Sequence, residues 1–86
     1  MGAFVYLAKI TVTLRKSILD PQGKAIHHAL ESLNMDGVRE VRMGKFMEMK
    51  IDAPSASEAH RITEEACKRL LANPVMEDYH FIVEEF

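Results

Sequence analysis

Cysteine, histidine and paired carboxylates are the side chains in this sequence that could carry covalent, metal or acid–base chemistry, and their spacing decides among those. Cys67, the sole cysteine, lies in the middle of a run whose apolar residues recur at helical spacing. It is far from any helix start, so nothing around it draws its pKa into the thiolate range. It reads as a core residue. His27 and His28 are adjacent, which on a helix points them about 100° apart, so they do not converge on one ion. His60 and His80 fall on separate elements. Glu64-Glu65, Glu77-Asp78 and Glu84-Glu85 are acidic pairs, but a general acid and a general base need an enclosing pocket to drive their pKa values apart. These runs sit on helix faces and ends that meet solvent. Neither of the glycine-rich phosphate loops, G-x-x-x-x-G-K-[ST] or G-x-G-x-x-G, occurs. The expectation is a binding or assembly module with no catalytic residue, no metal and no cofactor of its own.

Three stretches carry residue types suited to binding. In Leu19-Asp20-Pro21-Gln22-Gly23-Lys24-Ala25-Ile26, Asp20 can accept from the free N–H groups of a helix start and Pro21 suits the first helical position. Gly23 falls in the first turn, where glycine costs roughly 1 kcal/mol against alanine, so a close approach to the backbone is expected there. Free N–H groups, Gly23 and Lys24 would suit an anion or a partner's carboxylate. The second stretch, Val41-Arg42-Met43-Gly44-Lys45, sets two cations beside a glycine. The third, from Leu70 to Tyr79, joins a helix stop at Asn73-Pro74 to the acidic pair Glu77-Asp78 and an aromatic ring. The candidate partner-binding residues are therefore Asp20, Gln22, Gly23, Lys24, Arg42, Gly44, Lys45, Asn73 and Asp78.

The elements that must position them are legible from hydropathy period. Phe4, Tyr6, Ala8, Ile10, Val12 and Leu14 alternate with mostly polar residues and predict a long half-buried strand over 4–15. Ala25, Ile26, Ala29, Leu30 and Leu33 share one face of a helix from Pro21 to about Leu33, stopped by Asn34 to Gly37. From Val38 to Asp52 the period of two runs through Gly44. A two-residue hairpin loop at Gly44-Lys45 would set Val41 opposite Glu48 and put charge against the apolar face. A three-residue loop or one long strand bent at Gly44 is expected instead, the bent strand being favoured; half of it could then reach beyond its own subunit. Ser55 and Glu58 have the form of a capping box. The helix that follows has a face of Ala59, Ile62, Thr63, Ala66, Cys67 and Leu70 and ends at Asn73-Pro74. Tyr79 to Phe86 predicts a last, edge strand. The fold class is α+β: a small antiparallel sheet with two helices on one face, β-α-β(β)-α-β, ferredoxin-like or a close variant with a long bent central strand.

Length and charge bound the rest. A chain of 86 residues has room for one domain, 1–86, and buries only roughly 60–65% of its unfolded surface, so it gains from oligomerising. A net charge of −2 with no basic arm argues against nucleic acid. No apolar run approaches the roughly 20 residues of a membrane span, and no charged n-region precedes a hydrophobic stretch. A cytoplasmic location is expected.

Taken together and in order, L-D-P-Q-G-K-A-I from Leu19, V-R-M-G-K from Val41 and L-L-A-N-P-V-M-E-D-Y from Leu70 resemble the signature of the PurS family, the small subunits of phosphoribosylformylglycinamidine (FGAM) synthase. The resemblance covers essentially the whole chain. It departs from the family's pattern at Asn34-Met35-Asp36-Gly37, which replaces a shorter glycine turn. It implies a complex of synthetase, glutaminase and small subunits acting in de novo purine synthesis. Formylglycinamide ribonucleotide, glutamine, ATP and water become formylglycinamidine ribonucleotide, glutamate, ADP and phosphate. The complex would use ATP and Mg, while the small subunit would bind neither, bridge its partners, assist ammonia transfer and self-associate as a dimer or tetramer. Two other functions fit the bare residues: a free-standing ferredoxin-like regulatory domain binding a small metabolite, and a small enzyme using Cys67 or a histidine.

Overall fold

The computed structural model describes residues 4–86. The first alternation forms strand β1 (Phe4–Leu14), whose even positions Tyr6, Ala8, Ile10 and Val12 are buried. Helix α1 spans Pro21–Ser32, strand β2 Gly44–Ala53, helix α2 Ala56–Ala66 and strand β3 Glu77–Glu85. β1 is the central strand of a three-stranded antiparallel sheet of order β2-β1-β3. The expected α+β class, an antiparallel sheet with two helices, is the fold observed. β2 pairs with β1 without interruption from Thr13↔Gly44 to Phe4↔Ala53, and β1 pairs with β3 from Leu14↔Glu77 to Tyr6↔Glu85.

The second alternating segment resolves differently from either sequence alternative. There is no hairpin, and the paired strand starts at Gly44, so Val38–Met43 carries a strand's alternation without a strand partner among the described residues. Gly44 opens the strand where a β-carbon would meet the Val12 carbonyl oxygen at 2.7 Å. Glycine is needed for that close approach, not for a bulge.

α2 lies across the sheet and touches all three strands. Ser55 caps it, its hydroxyl accepting from the Glu58 N–H at 3.2 Å. The reciprocal half of the capping box is replaced, because the Glu58 carboxylate accepts from the Arg61 guanidinium at 2.6 Å. Beyond Ala66 the helix widens into a π-helical turn, Cys67–Leu71, closed by the Ala72 N–H on the Cys67 carbonyl. The extra residue shifts the helical phase. Leu70, placed on the core face by spacing, is 80% exposed, and Leu71 takes its place against the core. Cys67 is buried as expected, and burial pushes its thiol pKa up. Thr63, also sealed, donates its hydroxyl proton to the Ala59 carbonyl at 2.8 Å.

α1 behaves otherwise. Its end forms a left-handed cap with Asn34 at φ 64°, where the sequence suggested a stop, and the Met35 and Asn34 N–H groups reach back to the Leu30 and Glu31 carbonyls. Its expected core face is open: Ile26 is 39% and Leu33 68% exposed, and Ala25 and Ala29 are exposed too. The reason is placement. α1 is tied to the unpaired Val38–Met43 segment, with His27 Nε2 donating to the Val38 carbonyl at 2.7 Å, and does not lie across the sheet as α2 does. The molecule is accordingly long and thin, 57 × 26 × 14 Å.

Candidate assembly site

The three stretches singled out by residue type meet at one end of the sheet, where the end of β1 and the beginnings of β2 and β3 are neighbours. Asp20 organises that corner. It is the N-cap of α1, one carboxylate oxygen accepting from the Gly23 N–H at 2.9 Å and the other from the Met43 N–H at 2.7 Å. Those two amides, Gly23's first, hold its carboxyl below the ordinary carboxylate range, with the charge of Arg42 adding to the effect. Gly23 is buried because the Val41 carbonyl oxygen occupies the space a side chain would need, and Asp20 Oδ2 lies 2.6 Å from the same point. The close approach expected at Gly23 therefore comes from the chain itself.

Several other candidates are likewise spent on internal bonds. Arg42 donates from Nη2 to the Arg15 carbonyl at 2.8 Å and the Ile18 carbonyl at 3.1 Å, pinning the loop between β1 and α1. Lys45 faces Glu77 at 3.7 Å. Asn73 shapes its own turn: its side-chain oxygen accepts from the Val75 N–H at 2.9 Å and its N–H donates to Glu77 at 2.7 Å. Asp78 pairs with Arg15 Nε at 3.4 Å. Gln22, Lys24 and Gly44 are exposed. Asp20, Gln22, Gly44 and Lys45 line a small cavity of about 190 Å³ with Val12, Leu14, Met43 and Glu77. Lys24 and Arg42 line a neighbouring cleft.

Arg15 is the residue that sequence reasoning passed over. Its guanidinium donates to the Pro74 carbonyl at 2.6 Å and pairs with Asp78, its N–H donates to the Met76 carbonyl at 2.8 Å, and its own carbonyl receives Arg42. It joins the second and third stretches, through Arg42 on one side and Pro74, Met76 and Asp78 on the other. Pairing β1 with β3 sets this cation beside the acidic pair Glu77-Asp78, and that pairing was the missing signal.

One further polar contact lies under α2. The Tyr79 hydroxyl donates to the Glu64 carboxylate at 2.5 Å, which, with burial and the carboxylate's charge, pushes the phenol pKa up to about 12. A raised phenol pKa stabilises the fold fully below the ordinary value of 10.0, and that contribution is lost as pH rises from there through about 12. Spectrophotometric titration should show a phenolate transition near 12 that Tyr79→Phe abolishes; if the transition that Tyr79→Phe removes lay instead at the ordinary tyrosine value, the bond would be absent in solution.

Fold and corner together define a small α+β scaffold whose polar groups are spent largely on holding its own loops in register. The sequence model described as PurS, phosphoribosylformylglycinamidine (FGAM) synthase, matches residues 7–85. The chain is 46% identical over 81 residues to the phosphoribosylformylglycinamidine synthase subunit PurS of Bacillus subtilis, covering 94% of this chain and 95% of that one. The crystal structure of B. subtilis PurS superposes with a TM-score of 0.82 over 93% of this chain and 99% of that one. The PurS of Methanocaldococcus jannaschii, one of the subunits of formylglycinamide ribonucleotide amidotransferase in the purine biosynthetic pathway, gives a TM-score of 0.83 at 37% identity, covering 94% and 98%. A chain in the structure of PurLQS from Thermotoga maritima also gives 0.83, at 32% identity over 95% and 98%. This chain belongs to the PurS family of FGAM synthase subunits.

Proposed function

We propose that this chain is the small, non-catalytic subunit of phosphoribosylformylglycinamidine synthase, bridging the glutaminase and synthetase subunits and assisting the passage of ammonia between them. The observation that carries the reading is the match, over 95% of this chain, to a chain of the PurLQS assembly of T. maritima. ATP and Mg act on the larger subunits, this chain forms one domain, and the complex works in the cytoplasm. Self-association as a dimer or tetramer belongs to the same reading. It is supported by the open apolar face of α1 and by Val38–Met43, strand-like in sequence and unpaired among the described residues. Asp20, Gln22, Gly23, Lys24, Arg42, Gly44, Lys45, Asn73 and Asp78 build the corner that partners would meet. Asp20, Gly23, Arg42 and Asn73 shape it through internal bonds, whereas Gln22 and Lys24 are free to touch.

Reconstitution tests the function. With purified glutaminase and synthetase subunits, glutamine-dependent product formation is expected only when this chain is added, while ammonia-dependent formation changes little. No dependence on the chain in either assay would sink the assignment.

A further inference from the structure

Ion pairing is distributed unevenly over this molecule. On α2 and the π-helical turn after it, Arg61, Lys68 and Arg69 each face a glutamate of α2, and on and just beyond the strands Lys9, Arg15 and Lys45 each face a carboxylate of β3. Lys24 and Arg39, both exposed, face no carboxylate within ion-pairing distance among the described residues. These two cations line one cleft of about 200 Å³, between the start of α1 and the 39–42 segment, with Arg42 and His27 beside them. The cleft's own acids are Asp20 and Glu40, and the Asp20 carboxylate already receives two backbone amides.

Resting on the assignment to the FGAM synthase complex, we propose that the Lys24–Arg39 cleft is a docking site for an acidic segment of a partner subunit. The geometry favours a peptide's carboxylates over a small free anion. A phosphate would need converging donors that are both buried and uncommitted, whereas here the Gly23 and Met43 N–H groups are spent on Asp20 and Arg42 Nη2 on two carbonyls. What remains is long, exposed and cationic. Such groups steer a partner's carboxylates and fix its register across a rim. In a chain of net charge −2, the patch also opposes the overall sign, so it marks one orientation of approach. The cleft is held open by the His27–Val38 hydrogen bond and the Arg42 contacts to Arg15 and Ile18, which fix its two walls together.

The test is association of the full chain with the premixed glutaminase and synthetase subunits, measured at low and high sodium chloride. The double variant Lys24→Glu/Arg39→Glu is compared with wild type and with Lys16→Glu/Lys50→Glu, which makes the same charge change at exposed positions outside the cleft. Circular dichroism verifies folding of each. Reversal in the cleft is expected to weaken association about tenfold or more at low salt and to flatten its salt dependence, with the control pair close to wild type. An unchanged affinity and salt slope, or an equal loss in the control pair, would overturn the proposal. So would calorimetric binding of inorganic phosphate to the isolated chain that the cleft reversal abolishes. A wild-type chain that fails to assemble at all would remove the functional assignment and this inference with it, whereas assembly indifferent to the reversal removes the inference alone.

Discussion

Gly23→Ala is expected to destabilise the protein, against the direction that helix propensity gives. Alanine in a helix is favoured over glycine by roughly 1 kcal/mol. At this position, however, its methyl group would be driven into the Val41 carbonyl and would stand 2.6 Å from Asp20 Oδ2. Neither neighbour is the free end of a flexible side chain, since one is backbone and the other is fixed by two amide donors. Overpacking of this kind costs typically about 1–3 kcal/mol, and set against the propensity gain the net result should be a loss of up to about 2 kcal/mol. Chemical denaturation at fixed chain concentration measures it, because any self-association would otherwise shift the midpoint. An increase in stability would mean that α1 and the 38–43 segment are not in contact in solution, and the corner described above would fall with it.

The second large effect is expected from Asp20→Asn. A carboxylate offers an acceptor to each of its two amides, whereas the carboxamide offers one oxygen and turns an NH2 group toward the other N–H. The residue is 3% exposed, so water does not replace the lost acceptor. A fall in Tm of about 4–8 °C, what one lost buried hydrogen bond corresponds to in a chain of this size, is expected near neutral pH. The pH dependence follows from the lowered pKa. A carboxyl depressed in the folded state contributes stability above its unfolded value of 3.8, and loses that contribution as pH falls through its lower folded value. Wild type and variant should therefore differ most above pH 3.8 and converge in stronger acid. A difference that persists unchanged below that range would place the effect in packing.

The parts of this structure that could be read from sequence are those determined within a few residues. The alternation of β1, the Asp20-Pro21 start of α1, the Ser55 cap and the Asn34 stop each rest on local chemistry, and each is where spacing placed it. Misreadings begin where a distant or external partner decides. Val38–Met43 has the hydropathy of a strand, yet alternation describes only which face a residue presents and not whether a neighbour exists to pair with it. The apolar stripe of α1 is genuine, but periodicity cannot say whether any element packs against it, and among the described residues it stays open. Leu70 was misplaced by one π-helical turn, which no residue in 67–71 announces. At the candidate site the residue types were legible and their roles less so. Arg42 looked like a free cation and proves to be a clasp, and Arg15 looked like the solvated end of a strand although it holds the Asn73–Asp78 turn.

The order of strands in the sheet has a consequence for how the protein is made. β1 is synthesised first, and its two neighbours are β2 and β3, with Tyr6 lying opposite Glu85. One side of the central strand thus stays open until residues 77–85 have emerged from the ribosome, and the loop then closed is almost the full span of the sheet. Closure over so many residues is entropically slow compared with forming either helix. The Arg15 bonds to Pro74 and Asp78 belong to that same late step. The polar corner is consequently completed late, since it needs residues 73–78 in place against the end of β1.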